Sequence, residues 1–521
     1  MTNPALPTFE QFAAMRRYGG NTGFSLAWSP DSREIAYVTN TSGQFNVWKQ
    51  PAGGGYPLQL TFFEDRSARN VAWSPDGETI LFNSDVDGNE FHQLFTVPAS
   101  GGAPEQLTDV KDATHVISPG AWSPDSRYIA YAANDQDRRN MNVVMRDMHS
   151  GEVTRLIETD GVFQPGAWSP DGNYLTAVET RFNADSDIFL IDVQTRNAQN
   201  LTAHEGEINY MPGPWSRQKG KHGFYYRSND AGEHMALCYY NLKNQRRKLI
   251  DAPDWDVEFV ATSRNGRYLA WAINEEGYSR LHVWDLKKDK AIKLPKIPKG
   301  VIAYMGFSPD SRQMAMLLGG PTFGEQPFVL SLKPKKWTQL TETMLDGIDE
   351  KTMVKPKLVR FPTFDGRELP AWLYKPKTVN GKAPVVLSVH GGPEAQERPL
   401  YTYFNGPLYQ YLLSRGIGVL ATNIRGSTGY GKSYQRLIRR DWGGGELKDE
   451  ECAVKYLHSL DWVDPQRIGF IGGSFGGFSC LSCVSRLPDY WAVAVGHFGP
   501  SNLLTFVKSV PPYWRRFMKQ W

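Results

Sequence analysis

The chain has 521 residues, of which 22% are charged and 13% aromatic, and its net charge is +3. This length exceeds what one hydrophobic core supports, so we expect two or more domains. The mild charge, without an RNA- or DNA-reading motif, argues against a nucleic-acid partner, and the absence of any run of 18 apolar residues argues against a membrane span. Four cysteines are too few for a disulfide framework and residues 1–20 lack the apolar core of a secretory signal, which favours a cytoplasmic location.

The first predicted element is a short amphipathic helix. Residues 8–11 (Thr-Phe-Glu-Gln) resemble a capping box, and the helix is expected to continue through Arg17. We assign residues 1–19 to an N-terminal helical extension.

An internal repeat follows. The hexapeptide Ala-Trp-Ser-Pro-Asp-Ser/Gly occurs at residues 27–32, 72–77, 121–126 and 167–172, and weaker copies occur at 214–216, 261–266 and 306–311. Successive copies lie 45 to 49 residues apart, which is the period of a four-stranded propeller blade. Seven copies predict a seven-bladed β-propeller over residues 20–345. The repeats resemble those of TolB-type propellers.

Within each repeat, Pro-Asp-Gly or Pro-Asp-Ser is typical of a tight turn, and the aromatic residue is expected to pack between blades. The basic clusters at residues 243–248 and 287–290 are interpreted as solvated hairpins. Residues 85–88 (Asp-Val-Asp-Gly) lack the downstream glutamate of an EF-hand, so a turn is favoured over a calcium site. No metal or cofactor is expected.

The pattern changes after residue 341. An antiparallel pair at residues 358–363 and 369–374 precedes a continuous apolar run at 384–389, as expected of a strand covered on both faces. Helix-like and strand-like runs then alternate at residues 407–415, 418–423, 446–460 and 467–471. This order predicts a mostly parallel sheet with helices on both faces, and we assign residues 346–521 to this α/β domain.

The clearest chemical signal is Gly-Gly-Ser-Phe-Gly-Gly at residues 472–477, directly after the last of these strands. A serine on a sharp turn between strand and helix, with glycine two residues before and after it, is the nucleophile elbow of an α/β-hydrolase. Ser474 is therefore the candidate nucleophile.

A second signal is His390-Gly391-Gly392-Pro393 at the end of an apolar strand. Such a loop supplies one oxyanion-hole amide, and the residue after the nucleophile supplies the other. The candidate donors are the backbone N–H groups of Gly392 and Phe475, although a simple Gly-Gly-Pro turn is the alternative. His390 is ambiguous, because it could shape the loop or exchange protons.

These segments, together with residues 423–431 (Asn-Ile-Arg-Gly-Ser-Thr-Gly-Tyr-Gly) and 464–468, resemble the prolyl oligopeptidase family. The His-Gly-Gly-Pro form is most similar to its acylaminoacyl-peptidase branch. The resemblance covers nearly the whole chain and implies a serine peptidase for short peptides, with Ser474 as nucleophile and a propeller that limits access. For the full-length form a homo-oligomer is left open.

The resemblance also implies a catalytic aspartate and histidine beyond residue 521, so we expect residues 346–521 to be an α/β-hydrolase domain that is truncated at its C-terminus. His497 is the last histidine in the chain, and a place beside the site is favoured over a role as substitute base. Cys480 and Cys483 form a C-x-x-C interpreted as buried helix packing.

Three functions stay open at this point. The first is a serine peptidase whose acid and base are not encoded here. The second is a catalytically silent propeller–hydrolase that binds peptides or proteins, and the third is an esterase or lipase. Because the missing helices and strands would leave an exposed sheet edge and apolar surface, poor solubility is expected.

Overall fold

The computed structural model describes residues 6–19, 26–342 and 346–520. Between residues 26 and 342 the described chain forms seven four-stranded antiparallel sheets, which confirms the predicted propeller. The first strands of successive sheets lie next to one another around the central axis.

The blade strands are numbered β1 to β28 in chain order, four to a blade. Blades 1 to 3 contain β1 to β4 (Leu26–Trp28, Glu34–Thr39, Asn46–Pro51, Leu58–Gln59), β5 to β8 (Arg66–Trp73, Thr79–Val86, Gln93–Pro98, Glu105–Gln106) and β9 to β12 (His115–Trp122, Tyr128–Ala133, Asn142–Asp147, Val153–Ile157). Blades 4 to 7 contain β13 to β16 (Phe163–Trp168, Tyr174–Phe182, Asp185–Asp192, Ala198–Asn200), β17 to β20 (Tyr210–Trp215, Gly223–Ser228, Ala236–Asn241, Arg246–Asp251), β21 to β24 (Val257–Thr262, Tyr268–Glu275, Tyr278–Asp285, Lys290–Ala291) and β25 to β28 (Val301–Phe307, Gln313–Gly320, Phe323–Leu332, Lys335–Gln339).

Four of the five repeated tryptophans join neighbouring blades, as predicted, whereas the indole N–H of Trp73 donates to Gly77 of its own turn at 3.1 Å. The indole N–H of Trp122 donates to the Ala72 carbonyl of the preceding blade at 3.0 Å, and that of Trp215 donates to Ala167 at 2.8 Å. Trp28 closes the ring, because its N–H donates to Gly306 of blade 7 at 3.2 Å. A buried indole N–H needs an acceptor, and the adjacent blade supplies it.

The rest of the chain forms a six-stranded sheet flanked by helices. Its strand order is β29-β30-β32-β31-β33-β34, and β32, β31, β33 and β34 are parallel neighbours, as the alternation of strands and helices predicts. The strands β29 to β34 are Lys357–Pro362, Glu368–Tyr374, Ala383–Val389, Gly418–Thr422, Val463–Gly473 and Val493–His497. The helices are α1 (Phe9–Ala13), α2 (Asn405–Ser414), α3 (Lys432–Gln435), α4 (Gly445–His458), α5 (Phe475–Arg486) and α6 (Leu503–Ser509).

Polar contacts hold the propeller over the carboxyl ends of these strands. On the propeller the partners are carboxylates, and on the hydrolase they are mostly arginines. Arg398 pairs with Glu258 and also donates to the Gly277 carbonyl at 2.8 Å, while the Nε of Arg436 lies 3.0 Å from Glu207. These contacts come from blades 4 to 6 and fix one end of the ring against the hydrolase domain.

Several local predictions can be compared with the described residues. The capping box at Thr8 is present, but the first helix ends at Ala13 rather than Arg17, so its predicted length was wrong. After Ala13 the chain leaves the helix, and the Arg17 N–H donates to the side chain of Asn40 at 2.7 Å on blade 1. The domain boundaries predicted at residues 20 and 345 lie outside the described residues.

Two interpretations of polar clusters hold. Residues 243–248 form the exposed turn between β19 and β20 and the start of β20, as expected of a solvated hairpin. Residues 87 and 88 form the turn after β6, and the carboxylate of Asp85 on that strand accepts a 2.8 Å hydrogen bond from Arg69. None of the helices in the described part of the chain has the length and apolar character needed to cross a bilayer.

Strand β34 is the edge of the hydrolase sheet within the described residues. Val493 and Val495 on this strand are 59% and 44% exposed, and Leu481 and Val484 of the adjacent α5 are exposed as well. The exposed edge and apolar surface expected from the sequence are therefore present. The low solubility expected from them stays a prediction.

Candidate active site

The segment around Ser474 has the geometry of a nucleophile elbow. Strand β33 ends at Gly473, α5 begins at Phe475, and Ser474 between them has φ 57° and ψ −117°. A positive φ is strained for a residue with a side chain, and such strain is concentrated at functional sites. Ser474 is exposed, whereas Phe475 after it is buried, so the turn presents the hydroxyl to solvent.

Close packing explains the flanking glycines. A Cβ on Gly472 would lie less than 3.0 Å from the backbone of Gly476, and a Cβ on Gly476 would lie less than 3.0 Å from the Val389 carbonyl. The strand and the helix can approach this closely only without side chains at these positions. The glycine spacing seen in the sequence is therefore required by backbone contact.

The His-Gly-Gly loop lies against the elbow. Val389, the last residue of β31, pairs with Gly472 in the parallel register, so both loops leave the same edge of the sheet. A Cβ on Gly391 would lie 3.2 Å from the Cβ of Ser474. Among the described residues, neither the Gly392 N–H nor the Phe475 N–H donates to a backbone or side-chain acceptor. Both N–H groups are therefore free to donate to a ligand.

His390 braces this loop. Its Nδ1 lies 2.7 Å from the Gly391 carbonyl oxygen, to which it donates, and its Nε2 lies 2.9 Å from the Ser427 hydroxyl. Burial lowers the pKa of His390 below its usual value, so the ring is neutral at pH 7. These contacts favour the loop-shaping role over proton exchange with a substrate.

A cavity of about 250 Å³ opens beside Ser474. Its walls combine the two glycine loops with aromatic and aliphatic side chains of the segment before and within α2, and with Phe498 after β34. These apolar lining residues are Tyr403, Phe404, Leu408, Ile471 and Phe498. A cavity with apolar walls and few polar groups suits an uncharged side chain next to the reacting carbonyl.

The structure places His497 beside the elbow, as the sequence suggested. It ends β34 opposite Gly473, and its backbone carbonyl accepts the Ser474 N–H at 3.0 Å. Its ring packs on Phe404 with the ring centroids 5.7 Å apart. Within the described residues no imidazole or carboxylate is hydrogen-bonded to the Ser474 hydroxyl, so no base is in place there.

The sequence did not indicate two buried polar pairs that support the loops and the cavity wall beside Ser474. Arg425 and Asp449 form a buried bidentate ion pair, with bonds of 2.7 and 2.8 Å, that holds residues 423–431 near His390. Glu397 is buried, which raises its pKa to about 7, and it accepts a 3.1 Å bond from Asn405 at the cavity wall. Nothing in the local sequence distinguishes these acids from surface carboxylates.

The C-x-x-C on α5 is packed as predicted. Cys480 and Cys483 are buried, and the Cys483 thiol donates to Glu450 of α4 at 2.8 Å. Burial raises the pKa of Glu450 to about 8, so this carboxyl group carries a proton at neutral pH. Helix α5 is therefore held to α4 by a buried neutral pair.

Comparison with known proteins bears on this geometry. The model of the prolyl oligopeptidase family matches residues 403–521, and that of the N-terminal β-propeller domain of prolyl oligopeptidase matches residues 64–318. The chain belongs to the prolyl oligopeptidase family. The sequence resemblance is thereby confirmed, and with it a family of serine peptidases.

Relatives in this family cover most of the chain. Dipeptidyl aminopeptidase BIII of Pseudoxanthomonas mexicana is 27% identical over 93% of the chain and 71% of its own length. The uncharacterized peptidase YuxL of Bacillus subtilis is 24% identical over 87% of the chain and 76% of its own length. The structure of a puromycin-hydrolyzing peptidase of Mycobacterium tuberculosis superposes with a TM-score of 0.82 at 18% identity, over 99% of the chain and 83% of that structure. This last likeness establishes the fold, a propeller with an α/β-hydrolase domain.

Proposed function

We propose that this chain supplies the nucleophile and the oxyanion hole of a peptidase that hydrolyses short peptides. Ser474 is the nucleophile, and the N–H groups of Gly392 and Phe475 stabilise the negative charge on the carbonyl oxygen. The observation that carries the proposal is the exposed serine at φ 57° beside two N–H donors that have no described acceptor. Each such donor is worth roughly 10²–10³ in rate in known serine hydrolases.

The chemistry follows from this arrangement. The Ser474 oxygen attacks the carbonyl carbon, its proton passes to a base, and the tetrahedral oxyanion is held by the two amides. Collapse of this intermediate breaks the C–N bond, the leaving amine takes up the proton, and an acyl-enzyme remains. Water then releases the acid and restores the hydroxyl. The described residues place no base at Ser474, and the family resemblance assigns this step to a histidine.

For the substrate, we propose release of dipeptides from unblocked N-termini. Relatives that align with over nine-tenths of the chain carry the names dipeptidyl aminopeptidase and dipeptidyl-peptidase 5. The acylaminoacyl form expected from His-Gly-Gly-Pro is the competing specificity. Coumarin amides of Gly-Phe and of acetyl-alanine separate the two, because only the first has a free amino terminus.

The direct test is labelling with a fluorophosphonate probe, read by mass spectrometry. The chain 1–521, its Ser474→Ala variant and a product translated in frame past residue 521 are compared. Labelling of Ser474 in the longer product, with none in Ser474→Ala, supports the assignment. A folded longer product that labels at another serine, or not at all, contradicts it.

A second candidate is a peptide-binding protein that does not cleave. It is favoured by one observation, the lack of a described base at the Ser474 hydroxyl. If neither product is labelled while an unblocked peptide still binds in calorimetry, the non-cleaving function is the better description. Hydrolysis of Gly-Phe-coumarin by either product excludes it.

A further inference from the structure

The turn between the first and second strands is nearly identical in six blades. The serine N–H of each turn donates to the carbonyl of the residue five positions later, as from Ser169 to Tyr174 at 2.7 Å. The serine hydroxyl donates to the aspartate two positions later in blades 1, 2, 3, 4 and 7, and to an asparagine in blade 6, at 2.5–2.8 Å. This geometry forms with Ser-Pro-Asp in five blades and with Ser-Arg-Asn in blade 6, and it stabilises the turn.

Blade 5 departs from this pattern. The equivalent bond runs from Ser216 to Gly223 at 2.9 Å, so its turn is two residues longer. Arg217 stands where five repeats have proline, Gln218 stands where they have aspartate, and Lys219 and Lys221 follow. In blade 6 the proline is also replaced, by Arg264. In blades 5 and 6 an arginine therefore replaces the neutral proline of the other five repeats, and a neutral residue replaces their aspartate.

Arg217, Gln218, Lys221 and Arg264 line a cavity of about 760 Å³ between blades 4 and 5. The hydrolase domain contacts the hairpins between second and third strands, so the cavity, at the turns between first and second strands, lies at the far end of the ring. Its volume is in the range of small-ligand sites. Its apolar walls consist of Tyr174, Leu190, Leu201, Trp215, Tyr240 and Leu242.

The rim carries excess positive charge. Four cations of the lining form no salt bridge with any described residue: Arg217, Lys221, Lys243 and Arg264. By contrast, Arg267, in the same blade as Arg264, pairs with Asp285 at 2.7 Å. Desolvation and the neighbouring Arg264 charge lower the pKa of Arg217. Desolvation and the Lys248 charge likewise lower the pKa of Lys221. Cations held near one another without a counter-ion favour binding of an anion.

The two carboxylates of the lining are already engaged. Asp171 accepts from the Ser169 hydroxyl at 2.5 Å, and Asp192 accepts from the Thr195 N–H at 2.8 Å. The side-chain oxygen of Gln218 is buried at the cavity wall and has no hydrogen-bond partner among the described residues. A buried acceptor without a partner is costly unless a ligand supplies a donor.

We propose that this cavity binds a short acidic peptide, whose carboxylates face Arg217, Arg264 and Lys221 while a backbone N–H donates to Gln218. An inorganic anion would satisfy the cations but would leave the apolar walls and the Gln218 oxygen without partners. This site is separate from Ser474 and does not depend on the proposed hydrolysis.

The test measures binding by calorimetry in the Ser474→Ala protein, so that no probe is cleaved through that serine. The probes are acetyl-Glu-Glu-Phe-Glu, its neutral counterpart acetyl-Gln-Gln-Phe-Gln-amide, and inorganic phosphate. The acidic peptide is expected to bind at least about tenfold more tightly than the neutral one at low salt, and to weaken as salt rises.

Three variants locate the site. Arg217→Ala combined with Arg264→Ala, and Lys221→Ala alone at an exposed position, are expected to weaken the acidic peptide, the pair by about tenfold or more. Arg312→Ala is the matched control, because its side chain is 83% exposed in the corresponding turn of blade 7. The proposal would be overturned if Arg312→Ala lost as much affinity for the acidic peptide as the other variants. It would also be overturned if neither the double arginine variant nor Lys221→Ala lost affinity, or if phosphate bound as tightly as the peptide.

Discussion

The buried pair of Arg425 and Asp449 provides a quantitative test of how the candidate site is supported. Its side chains are 7% and 1% exposed, and Asp449 accepts three hydrogen bonds from Arg425, at 2.7, 2.8 and 3.2 Å. In Asp449→Asn the guanidinium stays buried without its main counter-ion. Among the residues that the structure describes, the remaining ion-pair partner is Asp365, 3.3 Å from Nη1 and partly exposed.

Removing one partner of a buried pair typically costs about 3–5 kcal/mol of unfolding free energy. Because Asp365 compensates in part, we expect about 3 kcal/mol here. With a urea dependence of about 2 kcal/mol per molar, the unfolding midpoint of the hydrolase domain should fall by about 1.5 M. Pulsed thiol labelling of Cys480 and Cys483 reports this domain alone, because both are buried in its core.

Two controls make the result decisive. Asp464 pairs with Arg467 at 2.6 Å, but these side chains are 24% and 53% exposed, so Asp464→Asn should cost less than about 1 kcal/mol. Burial raises the pKa of Asp449 despite Arg425, so desolvation of this carboxylate outweighs its attraction to the guanidinium. Arg425→Met with Asp449→Leu should therefore destabilise less than Asp449→Asn alone. Equal midpoints for Asp449→Asn and Asp464→Asn would refute the reasoning.

Two further outcomes are expected. Gly476→Ala places a Cβ against the Val389 carbonyl, so it should abolish a cooperative thermal transition of the hydrolase domain. Gly232→Ala, whose Cβ would have nothing within 4 Å, should melt like the parent chain. Near-identical melting of the two variants would contradict the packing argument. The pKa of Glu450 in the folded chain, about 8, lies above its ordinary value of 4.5, so stability is lost as pH rises between these two values. The difference in urea resistance between Glu450→Gln and the parent should therefore shift in favour of the variant as pH rises from 5 to 8. If this difference stays constant with pH, the titration of Glu450 is excluded as its cause.

Part of the site was predictable because it depends on local backbone geometry. Gly472 and Gly476 are required wherever a strand turns into a helix at close range, so their spacing around Ser474 identifies the elbow without coordinates. The end of the first helix was not predictable in this way. In the structure the helix ends at Ala13, and the Arg17 N–H, expected within the helix, donates instead to Asn40 on blade 1, a contact between residues distant in sequence.

The repeat and the turn chemistry alone determined the seven blades and the order of strands and helices, because these patterns act over a few residues. Only the tertiary structure brought Gly391 against Ser474, paired Arg425 with Asp449, and joined Arg217 and Arg264 at one cavity. These groups are distant in sequence, and their proximity follows from the parallel register of the sheet and the closure of the ring. Burial, which raises the pKa of Glu450 and lowers that of His390, likewise exists only once the chain is folded.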